Sequence, residues 1–215
     1  MPVTSLAAPA KRLLGYVPAY VMLQRIVGAD RLRSACIGML DLQPAERVLD
    51  VGCGPAYYLD ELPRVDYLGF DTAPRYIEYA RRRWAGRGEF RAEPLTAATA
   101  RTLGKFDAVL LMGVLHHMSD GECDALLEVL AASLSPSGRV ISLDTTYRAG
   151  QSRIARWMAD NDRGEHVRFP EHWTAMASAR FDEVDHELLE GVTRIPSSFW
   201  VMQMRAPKGA VQSGR

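Results

Sequence analysis

Lysine is almost missing from this chain. Its 215 residues include 26 basic side chains, of which only Lys11, Lys105 and Lys208 are lysines. Acidic residues also number 26, so the formal net charge is zero. A neutral chain has no general attraction for nucleic acid or for an anionic membrane surface, and neither partner is expected. The arginine bias by itself carries no function. Cysteine is scarce too. Cys36, Cys53 and Cys123 are odd in number, far apart and in no metal-ligand spacing, so they read as free thiols in a reducing compartment. No apolar run reaches the length of a membrane span. The N-terminus shows no charged segment followed by an apolar stretch and a cleavage site, which makes a cytoplasmic location the expectation. Repeats are absent, and low complexity is confined to the end of the chain, where residues 207–215 read as a disordered tail.

What remains is the composition of one globular α/β domain, with 47% hydrophobic and 24% charged residues. Its organising stretch is Val48-Leu49-Asp50-Val51-Gly52-Cys53-Gly54-Pro55-Ala56. Apolar residues around an Asp read as a short buried strand, and Gly-Cys-Gly breaks it. Pro55 suits the first position of a helix, placed over 56–62 and stopped by Pro63. Glycines admit a ligand close to the backbone, and a helix N-terminus offers N–H groups to an anion. Two ligand classes use such a turn. A dinucleotide site wants a small residue at the sixth position from Gly52, where this chain has Tyr57. No Tyr-x-x-x-Lys pair supports a NAD-dependent oxidoreductase either.

Around this stretch the chain alternates strands and helices. Helical periodicity runs from 11 to 42, interrupted near Pro18 and restarting at Asp30 as N-cap. Strands follow at 47–51, 66–71, 89–95, 106–112 and 139–143, with helices at 74–84 and 119–134. The second of these opens on a capping box, Ser119 with Glu122. Such alternation implies a mostly parallel sheet with right-handed crossovers and a ligand site outside the carboxyl ends of the strands. Those ends carry Gly52, Gly54, Asp71, Glu93, the stretch from Met112 to His117, and Asp144.

In order and spacing, residues 47–144 resemble the core of class I methyltransferases dependent on S-adenosylmethionine (SAM). Asp50-x-Gly52-x-Gly54-x-Ala56 is similar to the family's motif I, with Ala56 for the usual third Gly. Gly69-Phe70-Asp71 resembles the acidic end of the second strand, Phe106 to His117 the fourth-strand segment, and Leu134 to Val140 the turn before the fifth strand. The resemblance implies a Rossmann-like, seven-stranded, mostly parallel sheet with helices on both faces and an antiparallel last strand. It also implies SAM as cofactor and methyl transfer to a small organic acceptor. Asp71 would bind the ribose hydroxyls, Thr72 the adenine edge and Glu93 the adenine amine. Gly52, Cys53, Gly54, Met112 and Gly113 would line the cofactor, and Asp50 would either orient the glycine loop or reach the ligand's amino group. Cys53 is not expected to be a nucleophile.

For the chemistry, SAM brings an activated methyl, and a base is needed only for a protonated acceptor. His117 is the preferred base or positioning group, with His116 second, since adjacent side chains do not point the same way. Packing is the competing role for both. No metal is expected, because Met112-Gly113 supplies no oxygen ligand and leaves Asp144 alone. Residues 1–44 form a helical segment that either pads the sheet or acts as a lid, in which case Tyr16 and Tyr20 reach the acceptor. The methyltransferase domain is placed at 45–206, with a cap-like insertion at about 145–180. There Tyr147, Arg153 and Arg156, with Asp144, are candidates for the acceptor pocket. Arg148, Arg163 and Arg168 join them as a group suited to an anionic acceptor, unless they pair with Asp160, Asp162 and Glu165 on a solvated face. Trp157, on an amphipathic helix over 154–159, is expected in the core. The rival reaction on this fold is a non-methylating one, such as a cyclisation. Oligomeric state is left open.

Overall fold

Strand β1 (Arg47–Val51) and strand β4 (Phe106–Met112) lie side by side at the middle of the molecule and run parallel, with Leu49 opposite Val109. The computed structural model describes residues 17–162 and 164–208. Along both strands consecutive residues are buried, because the sheet is covered on each face and side chains alternate between the two cores. Val48, Ala108 and Leu110 face a core shared with helix α1 (Val17–Val27), helix α2 (Ala29–Leu40) and helix α3 (Pro74–Arg83). Leu49, Val109 and Leu111 face the opposite core, closed by helix α5 (Asp120–Ser133) and helix α7 (Pro170–Ser178). Each such leucine, withdrawn completely from water, contributes about 1.5–3 kcal/mol.

The remaining strands are β2 (Asp66–Phe70), β3 (Glu89–Arg91), β5 (Leu134–Thr145), β6 (Phe181–Glu190) and β7 (Ser198–Pro207). Their order is β3-β2-β1-β4-β5-β7-β6, with β7 antiparallel to both neighbours and the other pairs parallel. The chain leaves β1 toward β2 on one side and enters β4 on the other. The gap between their carboxyl ends is therefore the switch point where α/β sheets bind ligands.

Several expected elements differ. Residues 56–62 form successive tight turns in place of a helix, with Ala56 at φ 49°. Cys53, Ala56 and Tyr58 carbonyls accept from Ala56, Leu59 and Glu61 N–H at 2.9, 3.0 and 3.0 Å. Tyr57, Tyr58 and Leu59 are all buried, and three consecutive residues cannot share the stripe a helix presents to a core. No helix N-terminus therefore follows the glycine turn. Strand β3 ends before Pro94, and β5 begins earlier than expected. The Ser-Pro-Ser-Gly stretch enters β5 as an irregularity opposite the step from Phe106 to Ala108. Helix α4 (Ala97–Leu103) escaped the sequence reading although Thr96 caps it, accepting from Thr99 N–H at 3.1 Å, and Gly104 ends it. In the N-terminal segment Pro18 sits in the first turn of α1, and Gly28, at φ 84°, takes the N-cap position of α2 that Asp30 was expected to hold. Buried Cys36, Ile37 and Leu40 seat α2 on the sheet. Tyr16, Arg163, residues 209–215 and the side chain of Tyr20 lie outside the described residues.

After β5 the chain forms helix α6 (Arg153–Asp160), which buries only Ala155 and Ala159 and leaves Ile154 and Trp157 more than half exposed. Trp157 is thus a surface residue and not part of the core. Helix α7 behaves differently, burying Trp173, Met176 and Ala177 in the core under α5. Among the described residues no helix is long and apolar enough to cross a membrane.

Candidate active site

The turn after β1 is held by β2. Gly52 and Cys53 both donate to the Phe70 carbonyl, at 2.8 and 2.9 Å. Asp71 follows directly. One of its carboxylate oxygens accepts Gly54 N–H at 2.9 Å and the other accepts Ala73 N–H at 2.7 Å. This acid is partly exposed and keeps further lone pairs for hydroxyl donors. Gly52 has φ +74°, and a Cβ there would stand 2.6 Å from Val114 Cγ2, so close packing of the β1 and β4 ends demands glycine. Gly54 has the opposite surroundings. A Cβ on it would meet nothing within 4 Å, which leaves the outer side of the turn open to a ligand.

Beneath the turn sits Asp50, with no solvent exposure. Tyr58 and Tyr67 hydroxyls donate to its Oδ2 at 2.7 and 2.5 Å, whereas its Oδ1 is buried without a partner. Burial raises its pKa, and the two tyrosine hydrogen bonds only partly oppose this, leaving it at about 6. Cys53 is buried as well, and burial pushes its thiol well above the ordinary value, which removes it as a nucleophile.

On the other side of the switch point Met112 ends β4, and Gly113 donates to the Leu143 carbonyl at 2.7 Å. A 3₁₀ turn, Leu115–His117, follows. Its two histidine rings lie side by side, with centroids 4.2 Å apart, where adjacent side chains were expected to point apart; they differ in burial. His117 is exposed, while His116 is 6% exposed and locked between two acids. His116 Nδ1 lies 2.7 Å from Asp144 Oδ1, which also accepts the His116 backbone N–H at 3.1 Å. His116 Nε2 lies 3.2 Å from Asp162 Oδ1. Burial pulls the imidazole's pKa down, but the two carboxylates outweigh it and hold the ring up at about 9. The same contact, with the Gly164 N–H and the Thr145 hydroxyl, overcomes burial at Asp162 and lowers its pKa. His116 therefore joins the ends of β4 and β5 to the segment after α6. The loop fits closely: a Cβ on Gly164 would lie 2.1 Å from His116 Cδ2, and His166 N–H reaches the His116 carbonyl at 3.0 Å. Asp162 had been read only as a partner for arginines, because nothing local in the sequence places it beside His116.

The other expected residues are dispersed. Thr72 and Glu93 are exposed at the carboxyl ends of β2 and β3. Asp144 is 2% exposed and engaged with His116, so it does not offer a free face to an acceptor. Arg156 pairs with Asp160 at 3.1 Å and stacks 4.4 Å above the Tyr147 ring, and Arg148 pairs with Glu190 at 3.0 Å. Arg153 is exposed at the start of α6. Arg168 is buried, donating to Asp120 and to the His166 and Met118 carbonyls, each at 2.8 Å or less. Its role is to fasten the segment, not to meet an anion. A cleft of about 250 Å³ lies between α6 and the β6–β7 connection, lined by Arg148, Ser152, Ala155, Glu190 and Arg194.

Residues 48–138 match the family described as Methyltransferase domain. Over that stretch the chain is similar to the class I SAM-dependent methyltransferases, whose fold it shares. It is 32% identical over 105 residues to a ubiquinone biosynthesis O-methyltransferase of Xanthomonas axonopodis pv. citri, a match covering 46% of this chain and 43% of that relative. It thus spans less than half the length of that curated relative. Among solved structures, DhpI in complex with S-adenosylhomocysteine (SAH) superposes with a TM-score of 0.59 at 20% identity, covering 94% of this chain and 93% of that one. The [4+2]-cyclase SpnF superposes with a TM-score of 0.63 at 18% identity, covering 83% and 82%. Identities this low establish the fold alone, and the presence of a cyclase shows that the methyltransferase fold does not choose the reaction. SAM is the cofactor of the family, and the residues present suit it. The turn is open at Gly54, Asp71 is hinged beside it, and a buried carboxylate oxygen lacks a donor.

Proposed function

We propose that this protein transfers a methyl group from SAM to a small organic acceptor in the cytoplasm, with residues 145–180 covering the acceptor. The observation that carries this reading is the coupling of Asp71 to the glycine turn at the switch point, through the 2.9 Å bond to Gly54 N–H. Bound there, SAM supplies an electrophilic methyl on a sulfonium. The protein's share is to hold an acceptor's electron pair in line with that methyl and to keep water away. Asp71 takes the ribose hydroxyls, with Thr72 and Glu93 on the adenine side. Backbone at Gly52, Cys53, Gly54, Met112 and Gly113 lines the remainder, and Asp50 Oδ1 accepts from the amino group.

His117 is the group at the β4 end that can take a proton from an acceptor hydroxyl. His116 is a poor base at neutral pH, since it holds its proton up to about pH 9 between Asp144 and Asp162. We assign it to positioning, with Asp144. Tyr147, Arg153 and Arg156 stand on the cap and Tyr16 and Tyr20 on the N-terminal segment, where they bear on acceptor choice. Incubating the protein with SAM and a fractionated metabolite extract, with SAH followed by mass spectrometry, tests the reading. Acceptor-dependent SAH supports it, and His117→Ala should then lower turnover about 10²–10⁴-fold with SAM affinity kept. Tight SAM binding with no SAH from any fraction would point to a non-methylating reaction.

A further inference from the structure

Beyond methyl transfer, we propose that His116, His117 and Asp162 bind a divalent transition-metal ion of the Zn²⁺ or Fe²⁺ kind. Their donor atoms all lie within 4.8 Å of one another, and His116 Nε2 and Asp162 Oδ1 are already 3.2 Å apart. Two ligands bound at about 2.0–2.2 Å in a tetrahedral shell are separated by about 3.3–3.5 Å, so this pair stands at a coordination edge without rearrangement. His117, exposed on the same 3₁₀ turn, has its donor atom within 4.8 Å of the other two, and a side-chain rotation brings it to the third position. Two imidazoles and one carboxylate suit Zn²⁺ or Fe²⁺ and not Mg²⁺ or Ca²⁺, which prefer all-oxygen shells.

A second observation points the same way. Asp144 Oδ1 sits 2.7 Å from His116 Nδ1, a buried carboxylate on the ring nitrogen away from the site. Protein metal sites use that arrangement to fix the tautomer and to raise the basicity of the liganding nitrogen. Asp162 is oriented likewise, its Oδ1 by Gly164 N–H at 2.8 Å and its Oδ2 by the Thr145 hydroxyl at 3.2 Å. Carboxylates flank both ring nitrogens of His116, Asp144 at 2.7 Å and Asp162 at 3.2 Å, and such a pair of negative charges favours a dication beside the ring. The sequence had argued against a metal from the β4 and β5 ends alone. The missing oxygen ligand comes from the segment after α6. Three protein ligands leave a coordination position for water or for an oxygen of the acceptor.

The test is binding of the ion itself, which needs no acceptor. Tag-free, chelator-treated full-length protein is titrated with Co²⁺ in the visible spectrum and with Zn²⁺ by calorimetry. The expected result is one ion per chain at micromolar affinity or tighter, with d–d bands of a nitrogen and oxygen shell and no thiolate charge transfer. His117→Ala and Asp162→Asn should each weaken binding at least about tenfold, and Asp144→Asn about 10–100-fold, with circular dichroism unchanged. No binding at millimolar ion, affinity indifferent to both His117→Ala and Asp162→Asn, or a thiolate signature would overturn the proposal. SAM calorimetry on the same metal-free protein reports separately on the methyltransferase reading.

Discussion

Asp50→Asn exposes the tension beneath the glycine turn. In the wild-type fold the carboxyl titrates at about 6 against an ordinary 3.8, because burial penalises its charged form more than Tyr58 and Tyr67 relieve it. A rise of about two units corresponds to about 3 kcal/mol of linkage free energy. The sign follows from proton uptake. Between pH 3.8 and 6 the folded chain holds a proton on Asp50 that the unfolded chain has released, so folding stability falls as pH rises through this window. Below pH 3.8 the contribution is complete, and above 6 it is lost. Asparagine does not titrate and keeps an oxygen for both tyrosines, although its NH₂ then occupies the place of the unpartnered Oδ1. The difference in stability between variant and wild type should therefore move by about 3 kcal/mol in favour of the variant from pH 3 to pH 7.

Urea unfolding of both proteins at half-unit pH steps reads this directly, and the static penalty of the buried NH₂ cancels because it is the same at every pH. In thermal scans the same change is worth about 6–12 °C for a chain of this size. SAM should reverse the advantage. If its ammonium reaches Oδ1, the variant binds SAM more weakly by about 1–3 kcal/mol, the scale of a hydrogen bond between charged groups. Parallel pH–stability curves would refute the burial argument. Equal SAM affinity would confine Asp50 to orienting the loop.

Two further perturbations probe other joints of the site. Asp71→Ala should weaken SAM binding by about 1–3 kcal/mol, since it removes an acceptor for the ribose hydroxyls and frees Gly54 N–H; calorimetric affinity equal to wild type would dismiss it. Gly164→Ala would place a Cβ 2.1 Å from His116 Cδ2 and 2.4 Å from the His116 carbonyl oxygen. Backbone cannot yield there as a side chain can, so a loss of about 1–3 kcal/mol in urea unfolding is expected, and an unchanged midpoint would show that the loop rests elsewhere.

The parts of this fold that were legible share one property, a local signal with a single physical meaning. The uninterrupted apolar run of β4, the Ser119–Glu122 capping box and Asp71 some twenty residues past the glycines needed no knowledge of distant contacts. The failures were of another kind. A helix over 56–62 looked sound from Pro55 and Pro63, yet Tyr58 is drawn down to Asp50 and Tyr57 and Leu59 bury beside it, which unwinds the segment. Tertiary hydrogen bonding to a buried acid overrode a local preference. Helix α4 shows the reverse: its Thr96 cap and Gly104 stop were in plain view, but seven residues without an apolar stripe gave the periodicity nothing to detect.

The pair of histidines marks where local reading gives out. From spacing alone, the exposed and the buried member of His116-His117 are interchangeable, because which ring turns inward depends on Asp144, 28 residues later, and on Asp162 beyond it. Both acids belong to elements whose positions are set by the sheet order, with β5 beside β4 and the loop after α6 folding back over the β4 end. Once that order is known the asymmetry is forced. The imidazole nearer Asp144 is desolvated, and a desolvated imidazole with carboxylates at both nitrogens is a fixed cation or a metal ligand, not a free base. The exposed neighbour, His117, is the member of the pair that faces solvent. What distinguishes the two adjacent residues is burial, a property the sequence expresses only through the fold.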